Sequence, residues 1–473
     1  MSEAIAEMVL PGTYIEVRSE GLIAVGGIAT GNIGIVGTAA KGPVNKVVPV
    51  GSLPEALDQY GPADKFSAPD EASTALTLTR ALQQVYVGGG RNVFAVRIAN
   101  GTPTPASADV PSTGASKAFT LTSKSAGSFG NSIRVTVIDQ GASAPARWRL
   151  TVVAGNVRES FEGNDVGTVR TAIAAGSSLV DVSTTTVGSS DLVATTTPIA
   201  LGGGTSLPNV TGAQIADGLA LLEDEPVNIV VVAGVGADVA AAPLATHVER
   251  MENDGKERIA IVGATTSGTA TDVSGIENDT KNIADDRIVL VAPGFKTTDV
   301  ASGTTVTLPP SYTAAVVAGK LSTLAPHISL TNQGLPIPEL AVKYTSANYQ
   351  KLLQSRVLLV RQKFGPQILK GITTDTGAFR QISVRRVVDY AKAGVRSGSD
   401  PYIGKLNNVR VRAALQATLD GFLSQMVLDE MLVGYDLEVT ATRAQEIAGI
   451  CSVVMTLRPT FSIDYIRVTM NLQ

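Results

Sequence analysis

The 473-residue sequence predicts a multidomain protein of α/β and α+β character. It comprises a mixed α/β core domain, a β-rich module inserted into it, an α+β C-terminal domain, and an extended strand arm at each end. Three observations carry this reading. Strand and helix patterns alternate in ~30-residue steps over 21–100 and again over 207–335, which implies a parallel sheet with right-handed crossovers. Between them, 101–206 turns rich in Ser, Thr, Gly and Pro and carries strand signals. The chain closes on "DYIRVTMNLQ", where Ile466, Val468, Met470 and Leu472 take every second position, the period of a strand with one buried face.

Taken in order, residues 1–20 form the N-terminal arm, with Ile15 and Val17 alternating with Tyr14, Glu16 and Arg18 in "GTYIEVRSEG". The first part of the α/β domain, 21–100, holds a strand at 33–39, a helix at 52–61, a longer helix from Asp70 to Val87 and a strand at 92–98. Gly88, Gly89 and Gly90 stop the longer helix, because glycine adopts the left-handed conformation that ends helices. The module at 101–206 has strands in "AFTLTSK", "SIRVTVID" and "WRLTVVAG". Residues 207–335 return to α/β: helix 211–224, strand 227–233, helix 242–253, strand 258–263, helix 275–284 and strand 287–294. The two α/β parts are expected to share one sheet.

The C-terminal domain, 336–460, carries helices at 383–395 and 407–434, followed by strands. In the second helix Val411, Leu415, Leu419, Phe422, Leu423 and Met426 make one apolar stripe. Asn407 or Asn408 is the expected N-cap and Gly434 the stop. The C-terminal arm is 461–473. Its apolar phase changes, with Phe461, Ile463 and Tyr465 on odd positions and Ile466 onward on even ones, so a bulge or bend is expected at Tyr465–Ile466.

Composition removes several function classes. Hydrophobic residues at 44%, charged residues at 17% and a mean hydropathy of +0.20 describe an ordered globular chain. Glu3 and Glu7 at the N-terminus do not suit a signal peptide, which argues against a secreted adhesin. The most apolar window, 227–245, contains Asn228, Asp238 and Pro243 and reads as a buried strand followed by a loop, not a membrane span. One cysteine, Cys451, excludes an internal disulfide and a cysteine zinc site, and its apolar setting predicts a buried thiol. His247 and His327 lack ligand spacing and read as surface or hydrogen-bonded histidines. No G-x-S-x-G is present, "VAGVGAD" at 232–238 lacks a third glycine and a helix opening on it, and no glycine cluster carries the Lys-Ser/Thr of a phosphate loop. No catalytic, cofactor-binding or metal residue is therefore assigned. A nucleotide-dependent α/β enzyme with a β insertion is the alternative.

Charge is unevenly placed. Residues 171–249 have eight acids and no Lys or Arg, whereas 343–412 have fourteen Lys/Arg against Asp375, Asp389 and Asp400. The basic block lacks an aromatic platform or a known nucleic-acid motif, so a protein partner is favoured. Lys405, Arg410 and Arg412 sit at the start of the second helix, where the helix dipole disfavours cations by ~0.3–1 kcal/mol. They are candidate partner contacts, and salt bridges to the acidic 413–473 segment are the competing reading. The strand-like ends, Tyr14, Ile15, Glu16, Val17 and Arg18 at one terminus and Tyr465, Ile466, Arg467, Val468, Thr469 and Met470 at the other, present open edges able to extend a neighbour's sheet.

Several stretches resemble the sheath proteins of contractile phage tails and related injection particles. These are "LPGTYIEVRSEG", "VGGIATGNIGIVGTAAKGPVNKVVPV", "KSAGSFGNSIRVTV" at 124–137, "LPPSYTAAVVAGKLS" at 308–322, "ISVRRVVDYAKAG" at 382–394 and "GFLSQMVLDEMLVGYDLEV". One stretch departs from the family, with "RQKFGPQILKGITT" where many relatives carry a fuller Trp- and Arg-rich pattern. The resemblance implies a non-enzymatic structural subunit that stacks as hexameric rings around an inner tube. It also implies an extended state that stores energy and contracts to drive the tube through the target envelope. Under it, the arms are donated to neighbouring subunits, the C-terminal domain faces the tube and the β-rich module lies outside. Implied partners are other copies of the chain, the inner tube protein, and baseplate and terminator proteins, with no nucleic acid, no cofactor and no stable membrane insertion. The implied location is the virion tail, assembled in the host cytoplasm.

Overall fold

A computed structural model describes residues 28–64, 76–113, 117–183, 191–265, 273–299 and 303–471. These fall into two compact units, one spanning Ala29–Asp389 together with the tail from Phe461, the other Tyr390–Thr460. The N-terminal arm residues Tyr14 to Arg18 lie outside the described residues.

The larger unit is built on an eight-stranded sheet. Strand Ile33–Gly37 lies between Val93–Arg97 and Ile229–Gly236, parallel to both, and Ile259–Gly263, Ile288–Ala292 and Leu358–Gln362 continue the parallel series. Strands Val47–Val50 and Pro366–Ile368 close the two edges in antiparallel pairing. The two sequence-distant α/β stretches thus form one sheet. Strands at 358–368, which the sequence reading assigns to the C-terminal domain, belong to this sheet as well.

Alternation explains how both faces are buried. Ile33 and Ile35 point into a core shared with Leu78, Leu82, Val85 and Tyr312, and Val36 into another with Ile215, Leu219, Leu244 and Val248. Helices Leu78–Gly88 and Pro310–Ser322 cover the first face, and Gly212–Ala220 and Ala237–Asn253 the second. The first pair approach at Gly88 and Gly319, where a methyl on either would overlap the backbone of the other helix. Gly89, at φ 106°, ends the first of these helices as expected.

One expectation fails at 236–243. The sequence reading denies "VAGVGAD" a helix, yet Ala237–Asn253 opens directly on Gly236, with Pro243 inside it. Proline is a weaker breaker here than its reputation, because the surrounding turns are packed on the sheet through Ala240, Leu244, Val248 and Met251. The helix start does not make an anion site, since Asp238 already occupies its first turn with a charge that would repel one.

The inserted module has its own core around Phe119, Trp148, Leu150 and Ile173. A four-stranded antiparallel sheet, from Arg134–Asp139, Trp148–Ala154, Val157–Gly163 and Ile199–Ala200, is accompanied by a three-stranded one. Arg97, fully buried at the end of its strand, ties module to sheet by donating to the carbonyls of Gly42 and Ala126 at 2.6 and 2.8 Å. Burial pushes its pKa down to about 10.

The Tyr390–Thr460 unit comprises the second half of helix Ile382–Ser399, helix Val409–Leu428 and the hairpin Leu432–Thr440 with Ser452–Pro459. Asn408 caps the helix by accepting from Val411 N at 2.9 Å. Leu415, Leu419, Leu423 and Met426 of the expected stripe are buried, while Val411 and Phe422 are half-buried. The helix ends at Leu428, short of the expected stop, and Gly434 sits inside a strand. The reason is local: "LVGYDLEV" pairs with "SVVMTLRP", and that ladder outcompetes continuation of the helix. Cys451 is also a correction. It is exposed because it precedes a two-stranded ribbon that buries only one face.

Burial of His247 gives a test. The ring lies 2.9 Å from Arg258 Nη1, and burial first, then the Arg258 charge, push its pKa down to about 4. In the unfolded chain a histidine titrates near 6.5. Between those values the unfolded chain binds a proton that the folded chain refuses, so stability falls as pH drops from about 6.5 to 4. The loss is on the order of 1–3 kcal/mol at about 1.4 kcal/mol per pKa unit. Urea melts from pH 7 to 4.5 should show this slope flattened in His247→Gln; parallel curves for both proteins would refute it.

Candidate subunit interface

The tail from Phe461 is extended and forms no ladder among the described residues. Its root is fastened to its own unit. Asp464 is 3.1 Å from Lys370 Nζ, and accepts from Gln381 Nε2 at 3.2 Å and Thr331 Oγ1 at 3.4 Å. Ser462 N donates to Gln381 Oε1 at 3.3 Å, and Lys370 also reaches the Tyr465 hydroxyl at 3.2 Å. The Asp464 side chain is only 11% exposed.

Beyond this point the contacts stop. Ile466, Val468 and Met470 are 82, 72 and 84% exposed, and Arg467 and Thr469 are exposed as well. Three apolar side chains on alternate positions held in water forfeit roughly 1.5–3 kcal/mol each relative to burial. The alternation read from the sequence is present, but neither face is buried within the chain.

The hairpin of the smaller unit has matching needs. Tyr435, Leu437, Val439, Val453, Met455 and Leu457 line one face, which rests on Leu415 and Leu419. Most of that face is half-buried, not buried. Two-stranded ribbons are marginal alone, and here each strand keeps one edge without a ladder partner among the described residues. Val433 and Val454 are exposed large apolar residues on this ribbon.

The three candidate cations separate. Lys405 and Arg410 are exposed, next to Ile403, Leu406 and Val409, which are also exposed. Arg412 instead bonds Asn407 Oδ1 at 2.8 Å and Glu446 Oε1 at 3.0 Å, the salt-bridge alternative. Arg443 and Arg412 hold the Glu446 carboxyl below its usual range. Much of the basic block is likewise spent internally. Arg385 pairs with Asp389 and Asp286, while Arg386 and Arg356 donate to carbonyls. Among the described residues no group of His, Cys, Asp and Glu could hold a metal ion, and no helix is long and apolar enough to cross a membrane.

Sequence reasoning missed the anchor at Asp464 and the apolar residues at 403–409. Asp464 reads as an ordinary strand-flanking acid, and nothing local pairs it with Lys370, ninety-four positions away. Ile403, Leu406 and Val409 carry a usable signal: they do not continue the apolar stripe of the helix that follows.

Comparison with known proteins bears on this geometry. Residues 374–473 match the phage tail sheath C-terminal domain. The whole chain has the fold of a sheath tail protein from Desulfitobacterium hafniense, with a TM-score of 0.67 and 18% identity over 95% of this chain and 100% of that one. A sheath tail protein from Listeria innocua gives 0.62 and 16%, over 93% and 97%. The helical sheath of the anti-feeding prophage in its contracted state gives 0.57 and 12%, over 98% and 99%. No curated protein sequence matches. Residues 374–473 are thus similar to the phage tail sheath C-terminal domain, and the chain shares the fold of solved sheath tail proteins over nearly its full length.

The split among the cations predicts distinct phenotypes. Arg412→Ala should lower the melting temperature of the chain by a few degrees, and Lys405→Ala or Arg410→Ala should leave it within error. Equal shifts for all three in thermal melts would contradict the assigned contacts.

Proposed function

We propose that this chain is the structural subunit of a contractile tail sheath, stacking as hexameric rings around an inner tube. It stores energy in an extended lattice and contracts to drive the tube through a target envelope. The match of residues 374–473 to the sheath C-terminal domain carries this reading, supported by the full-length fold likeness to the anti-feeding prophage sheath. The exposed tail and the open ribbon supply the physical means. The tail of one copy and the N-terminal arm, Tyr14 to Arg18, each add a strand to an open sheet edge of another copy.

Such joints suit a moving lattice. Each backbone hydrogen bond contributes only ~0.5–1.5 kcal/mol, but a strand of six residues makes several and buries its apolar side chains as well. The joint holds while the subunits rotate, because the hinge lies in the chain between root and strand. The subunit acts without catalysis or cofactor. Its partners are copies of itself, the tube protein, and baseplate and terminator proteins; its place is the particle's tail, assembled in the host cytoplasm. Lys405 and Arg410 face the tube, where weak exposed charge pairs release on contraction, and Arg412 supports the loop that carries them. The 101–206 module forms the outer surface.

Deleting 461–473 or 1–20 should leave folded, soluble chains that form no tubes in negative-stain electron microscopy, and tubes of normal length from either truncation would sink the strand-exchange reading. Reversing Lys405 and Arg410 together to Glu should weaken sheath–tube co-assembly and blunt its salt dependence. Unchanged co-sedimentation across salt concentrations would remove these residues from the tube contact.

A further inference from the structure

We propose that Asp464 is a positioning residue for the C-terminal strand: it fixes the last point at which the tail is held by its own subunit, so that the exchangeable segment begins at Ile466. The proposal rests on reading the tail as an exchanged strand, and it assigns to one carboxylate the reach and register of that exchange.

The tail has two segments of opposite character. At the root, the even-numbered side chains Ser462 and Asp464 turn inward and are half-buried, whereas the odd-numbered Phe461, Ile463 and Tyr465 point out. Inward polarity is unusual for a strand resting on its own domain, and here it is used fully. Both Asp464 oxygens are engaged, Oδ2 by Lys370 and Gln381 and Oδ1 by Thr331 and Ser462. Thr331 is itself held by Gly371 N at 3.1 Å, and Gln381 grips the root a second time through Ser462 N. The cluster therefore joins three separate stretches of the larger unit, around 331, 370 and 381, to one tail residue.

From Ile466 the apolar residues shift to the even phase, the side that faced inward at the root, and yet they are exposed. A tail that merely lay along its own unit would keep one phase throughout. The change of phase coincides with the end of the anchor, so the segment before it is specified for its own subunit and the segment after it for another. At about 3.3 Å per residue, the six described residues from Ile466 to Asn471 reach roughly 20 Å from the anchor. A root free to slide by one residue would put the wrong face of the strand against its acceptor.

Hydrogen exchange by mass spectrometry on the soluble full-length chain reads the anchor without assembly. In the wild type, amides of 461–465 should exchange about tenfold more slowly than those of 466–471. Asp464→Ala and Lys370→Met should abolish that difference, and Lys370→Arg, which still reaches the carboxylate, should keep it. A root that exchanges equally in wild type and Asp464→Ala overturns the anchor. Assembly then reads the positioning role, with deletion of 466–473 as the reference. Asp464→Ala should raise the protein concentration needed for tube formation by about tenfold, with Lys370→Arg restored to wild-type behaviour. An unchanged threshold despite a loosened root overturns positioning. If the 466–473 deletion itself assembles normally, strand exchange is what fails, while the exchange data still decide whether the anchor exists.

Discussion

A strand edge without a neighbour leaves backbone donors and acceptors open to another strand, and the architecture turns on where that need is met within the chain. In the eight-stranded sheet it is met almost completely. One edge strand, Val47–Val50, contains Pro49, which lacks a donor. The other, Pro366–Ile368, is capped by backbone bonds to 332–335. The interior strands of this sheet are covered on both faces by helices. The requirement is unmet at two places only among the described strands and tail of the C-terminal region: the ribbon at 432–459 and the segment from Ile466. Both places leave backbone groups open to pairing with a further strand.

Buried arginine is the second theme. The larger unit holds Arg80, Arg97, Arg258, Arg287, Arg385 and Arg386 with little or no exposure. Arg287 is bidentate to both Glu252 and Asp389. Burial alone pulls its pKa down, and these hydrogen bonds outweigh burial and raise it. Removing one member of such a group leaves a buried charge uncompensated, at about 3–5 kcal/mol. Arg386 instead donates to the carbonyls of Thr30, Leu324 and Ala325, and burial pushes its pKa down to about 10. These residues lock loops to the sheet and hold the first turns of helix 382–399 in place. Arg385 and Arg386 take two of the fourteen cations of 343–412 out of solvent, while Lys405 and Arg410 are among its exposed members.

The parallel sheet, the inserted module and the two C-terminal helices were legible in the sequence because each rests on local periodicity with strong turn signals. The stripe Leu415, Leu419, Leu423 and Met426 is one case, and the run "IVVVAG" another. The errors arose where local signals compete. Pro243 is tolerated inside a helix because tertiary packing supplies what the helix loses. Gly434 and the exposed Cys451 were misread because a two-stranded ribbon buries half of what its apolar content suggests.

The sequence by itself determined the elements and the alternating apolar end of the chain, since periodicity is a property of neighbours in sequence. Only the tertiary structure decided which charges are structural and where the tail's contacts with its own unit end. Arg412 and Lys405 look alike in sequence, but one pairs with Glu446 while the other is exposed and lies over the Tyr402 ring. Asp464 becomes an anchor only because the fold brings Thr331, Lys370 and Gln381 to one point, and contacts between residues so far apart carry no local signature.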